Sequence, residues 1–68
     1  MKNLVYTQTN NTLSTQAVEN RINEYQVNSS FIVIANENGF YINFVDDIPV
    51  EDLMKIDLAM CTLMYIRQ

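Results

Sequence analysis

The chain has 68 residues, 49% of them hydrophobic, with eight acidic and four basic side chains, no His and a net charge of −4. That length allows one domain, 1–68, which folds alone only with a modest margin, and the apolar fraction excludes disorder. Lys2, Arg21, Lys55 and Arg67 are scattered, so no basic patch exists to exchange counterions with a phosphate backbone, and direct nucleic-acid binding is excluded as an expectation.

Asn3 to Thr7 reads as a strand, with Leu4 and Tyr6 on one face and Val5 and Thr7 on the other. Gln8 to Thr12 is polar and reads as a loop. Helix one is expected from Ser14 to about Val27. The Ser14 hydroxyl suits the N-cap, and Leu13 with Val18 has the spacing of a hydrophobic staple. Val18, Ile22 and Tyr25 form its narrow apolar stripe. Asn28-Ser29-Ser30 ends it.

Phe31 to Asn36 reads as a second strand by its β-branched and aromatic content. Asn38-Gly39 predicts a two-residue type I′ hairpin turn. Strand three then covers Phe40 to Val45. That turn pairs Glu37 with Phe40, Ala35 with Ile42 and Val33 with Phe44. Alternation puts Phe31, Val33, Ala35, Phe40, Ile42 and Phe44 on a core face. Ile32, Ile34, Asn36, Tyr41, Asn43 and Val45 share the other face, which is more apolar than a solvated face requires.

Helix two is expected from about Pro49 to Arg67, with Pro in the first turn and Glu51 and Asp52 where the helix dipole favours anions. It carries two apolar stripes, Leu53, Ile56, Met60 and Leu63 on one side and Met54, Leu58, Cys61 and Tyr65 on another, roughly 140° apart. One stripe covers the sheet. The other exceeds what the slender first helix can hide. The expected fold is α+β: a two-layer β-α-β-β-α sandwich, a three-stranded sheet with both helices on one face.

The residue inventory argues against catalysis. Without His the usual neutral-pH base is absent. Cys61 lies on an apolar stripe, where it reads as packing rather than as a nucleophile. One Cys and no His cannot make a zinc site, and the acidic spacing matches no calcium loop, so no metal or other cofactor is expected. Gly39 alone makes no phosphate loop. The longest apolar run is interrupted by Asp57 and Thr62, which argues against a membrane span. The first nine residues lack the apolar segment of a signal peptide, and a cytoplasmic location is the expectation.

What remains is recognition. Asp46, Asp47, Glu51 and Asp52, extended by Glu37 or Asp57, form the candidate acidic contact surface for a protein partner with a basic groove. Met54, Leu58, Cys61 and Tyr65 form the candidate self-association stripe of a homodimer. The expected function is a non-catalytic protein-binding module. Small size, acidity and nine Asn residues suggest a phage or mobile-element accessory protein that binds and inhibits a host defence or nucleic-acid-handling protein. The alternative is a homo-oligomeric assembly module with no inhibitory role.

Overall fold

A computed structural model describes residues 3–7, 13–37 and 39–67. The fold is α+β, and its elements run β1 (Asn3–Thr7), α1 (Thr15–Asn23), β2 (Phe31–Asn36), β3 (Gly39–Phe44), α2 (Val50–Thr62) and β4 (Ile66–Arg67). The sheet therefore has four strands, not three, in the order β2-β3-β1-β4. Every pairing in it is antiparallel. β3 lies between β1 and β2, so those two run parallel to each other and α1 is the crossover between them.

Why the fourth strand exists is legible at the end of α2. The helix stops at Thr62, five residues before the predicted end. Met64 turns left-handed at φ 70. The Tyr65 N–H then donates back to the Met60 carbonyl at 3.0 Å, and the Met64 N–H to Cys61 at 2.9 Å. These two bonds make a Schellman cap, usually built around Gly. Met occupies the position here, so no breaker in the sequence announced the stop. The reversal lays Ile66 and Arg67 beside Thr7 and Tyr6.

The hairpin register also differs from expectation. Asn36 pairs with Gly39, Ala35 with Phe40 and Val33 with Ile42. The loop is Glu37-Asn38, not Asn38-Gly39; the conformation of Asn38 lies outside the described residues. Gly39 sits inside β3 opposite Thr7 and has no positive φ. It serves a close approach instead. A Cβ there would fall on the Tyr6 carbonyl oxygen and come within 2.9 Å of the Thr7 Cα. The slip is two residues, so the faces keep their assignment. The expected loop over residues 8–12 also lies outside the described residues.

Leu4, Tyr6, Val33, Phe40, Ile42 and Phe44 from the strands join Val18 and Ile22 from α1 and Ile56, Ala59 and Met60 from α2 in one buried cluster. Leu13, Tyr25, Leu53 and Leu63 pack against it. The alternate strand residues Ile32, Ile34 and Tyr41 are exposed. Ser14 caps α1 as its sequence suggests, its Oγ accepting from the Ala17 N–H at 3.1 Å. The α1 helix is shorter than expected, ending at Asn23.

Candidate functional site

Helix α2 organises the candidate surface, and polar tethers on both flanks set its rotation. On the α1 side, Asp52 is the anchor. Its carboxylate is 3% exposed. It accepts from the Ser29 hydroxyl at 2.6 Å, the Ser29 N–H at 3.1 Å and the Asn28 N–H at 3.4 Å. The Ser29 hydroxyl bond, against the opposing effect of burial, holds the carboxyl below the usual aspartate range. Further along this flank, Lys55 donates to the Gln26 carbonyl at 3.3 Å and Arg21 to the Thr62 hydroxyl at 2.7 Å.

On the opposite flank, Asp57 receives two groups from the sheet. The Tyr6 hydroxyl donates to it at 2.6 Å, and the Arg67 Nε sits 2.9 Å from the same oxygen. Burial, reinforced by the bond to Asp57, pushes the Tyr6 phenol well above its ordinary value. Asp57 thereby ties the helix to β1 and to β4 at once.

With both flanks fixed, at about 100° per residue the row Val50, Met54, Leu58 and Cys61 points away from the buried Ile56 and Met60. Met54 is 66% exposed and Leu58 57%, and Cys61 carries a free thiol at the surface. Helix α1 does not cover this row: its Arg21 reaches Thr62, and the segment that follows α1 meets Lys55 and Asp52, all on the one flank of α2. Three of the four residues assigned to self-association thus lie together on one outward face, with Val50 extending the row.

Tyr65 does not belong to that row. It lies beyond the helix, 3% exposed, with its ring edge-on to Phe40 at 5.4 Å. The Schellman reversal swings it inward, and burial raises its phenol pKa. Extending helical periodicity past Thr62 placed it on the wrong face.

The acidic group is also divided. Asp46, Asp47 and Glu51 are exposed in the connection and first turn of α2. Asp52, predicted to face a partner, is committed to internal donors instead. Glu37 sits in the β2–β3 turn, at the end of β3 opposite to Asp46, so the structure does not bring it to the others. Glu51 adjoins Val50 and Met54 on the outward side of α2. Ion pairs among the described residues join Arg21 to Glu24 and Arg67 to Asp57. A cleft of about 250 Å³ beside the Asp52 anchor is lined by Asn28, Ser29, Ser30, Val45 and Asp46. Its polar lining offers hydroxyls and one carboxylate.

Asp52 and Asp57 are the residues whose roles the sequence concealed. Their partners lie 23 and 51 positions away, beyond any local pattern. No helix among the described residues is long and apolar enough to cross a membrane.

The class these features define is a small α+β domain with an antiparallel sheet, polar-tethered helices and an uncovered apolar helix face. No protein-family model matches the chain, and no curated protein and no solved structure matches it.

Proposed function

We propose that this chain is a non-catalytic protein-binding module in which both helices cover one face of the sheet and the outward face of α2 makes the contact. The observation that carries this reading is the row Val50, Met54, Leu58 and Cys61, exposed together on a helix whose rotation is fixed from both sides. Exposed apolar side chains in a contiguous row gain most by being covered, and Met adapts to irregular partners. Glu51 on the same face, with Asp46 and Asp47 ahead of it, suits a partner groove lined by Lys and Arg. Such an occupant blocks a groove built for phosphates, which makes inhibition of a nucleic-acid-handling protein the activity we assign.

The test is affinity capture from a bacterial lysate with a salt titration, run beside Glu51→Lys and Met54→Ser/Leu58→Ser. A partner retained at low salt should weaken with rising salt and with Glu51→Lys, and be lost in the double variant. All three proteins should have the same circular dichroism, since the altered side chains are exposed. Capture indifferent to all three changes refutes the reading. The second reading, a homo-oligomeric assembly module, is favoured by a different observation: no further strand lies beside β2 among the described residues.

A further inference from the structure

The two edges of the sheet differ in how they meet solvent. β4 is two residues long and carries Arg67, which is paired with Asp57. Brevity and charge are common means by which an edge strand refuses a further strand. β2 has neither. Phe31–Asn36 is six residues without a charge, a Pro or a Gly. In a chain of net charge −4, it is a neutral window through which two copies can approach.

The hairpin decides which backbone groups face that edge. A two-residue loop closes on a pair that exchanges both hydrogen bonds, and bonded pairs then alternate along the ladder. The closing pair is Asn36 with Gly39, so Ile34 with Tyr41 and Ile32 with Asn43 are the bonded pairs that follow. The N–H and C=O groups of Phe31, Val33 and Ala35 therefore point outward, where no further strand lies among the described residues.

We propose that β2 is a homodimer interface: it pairs antiparallel with β2 of a second copy about a two-fold axis at Val33, giving one continuous sheet with four strands from each copy. The occupant is a second copy because the segment complements itself in this register. Val33 faces Val33. Phe31 then lies opposite Ala35 of the second copy at both ends, a ring against a methyl, with no two rings in register.

Ala35 is exposed although it shares a face with buried Val33 and half-buried Phe31. The ring from the second copy covers it. On the alternate face, Ile32 opposes Ile34 of the second copy twice. Side chains 64% and 44% exposed in the single chain thus become a four-isoleucine cross-strand cluster. About six backbone hydrogen bonds form, and no charges are opposed. This interface leaves the outward face of α2 free and does not depend on the function proposed for it.

Sedimentation equilibrium over a micromolar concentration range tests the proposal, with amide exchange on the same samples. Ala35→Pro removes an N–H that points to the outer edge of β2, and Pro is tolerated on an edge strand. Ile32→Lys/Ile34→Lys charges the exposed cluster without touching the core. The wild type should dimerise, with the Phe31, Val33 and Ala35 amides protected in proportion to dimer. Both variants should weaken association by on the order of a hundredfold or more while keeping the native circular dichroism. If Ala35→Pro fails to fold, the lysine variant decides. A wild type that stays monomeric at high micromolar concentration overturns the proposal. So does a dimer that survives the variants, or one that only Leu58→Asp dissociates.

Discussion

Replacing Asp52 with Ala should be among the most damaging changes available to a polar residue of this chain. The carboxylate is buried and accepts three hydrogen bonds from the segment joining α1 to β2. Bonds to a charged acceptor contribute about 1.5–3 kcal/mol each. The Ser29 hydroxyl at 2.6 Å and the Ser29 N–H at 3.1 Å carry most of this, and the Asn28 N–H at 3.4 Å adds little. Water can reach the half-exposed segment once the carboxylate is gone and recovers part of the loss, so we expect about 3 kcal/mol. A domain of this length has a total stability of only ~3–10 kcal/mol, at roughly 0.05–0.15 per residue.

Urea unfolding at neutral pH reads the effect directly. With a slope of ~1 kcal/mol per molar urea, the midpoint should fall by about 3 M. The carboxyl pKa is depressed in the folded state, so this contribution is complete above the ordinary aspartate value, about 3.9, and is lost as pH falls through the lower folded value. The wild type should therefore lose stability in that acid window, and Asp52→Ala should lose less of it. A midpoint shift below about 0.5 M at neutral pH, with the acid dependence unchanged, refutes the anchoring role.

Met64→Gly should raise stability by about 0.5–1 kcal/mol, because it relieves a left-handed residue whose side chain is exposed; a thermal melt reads it. Gly39→Ala should lower stability by more than about 2 kcal/mol, since its methyl falls on the Tyr6 carbonyl and β1 must move away from β3; chemical denaturation measures the loss. Tyr6→Phe removes the hydroxyl bond to Asp57 and should cost about 1–2 kcal/mol near neutral pH. The raised Tyr6 pKa means that wild-type stability is complete below the ordinary tyrosine value, about 10, and declines above it. Tyr6→Phe should flatten that alkaline decline, which circular dichroism and tyrosinate absorbance would follow together.

Local chemistry was enough to foresee much of the domain. Ser14 announced its helix because an N-cap acts within one turn. The alternation in β2 and β3 sorted core from surface, since strand periodicity survives a two-residue slip in register. The apolar surplus on α2 was visible because Met54, Leu58 and Cys61 lie within one continuous helix.

Tertiary structure decided what depends on residues distant in the chain. Gly39 looked like a turn residue until β1 came close enough to need its missing side chain. Met64 gave no sign of ending a helix, and the reversal there sent Tyr65 into the core and created β4. Asp52 and Asp57 read as surface charge from their neighbours in sequence. Only folding brought Ser29, Tyr6 and Arg67 to them and made them the tethers that leave one face of α2 bare. Periodicity and capping belong to the chain itself, whereas a hydrogen bond across the fold exists only once the core has closed around it.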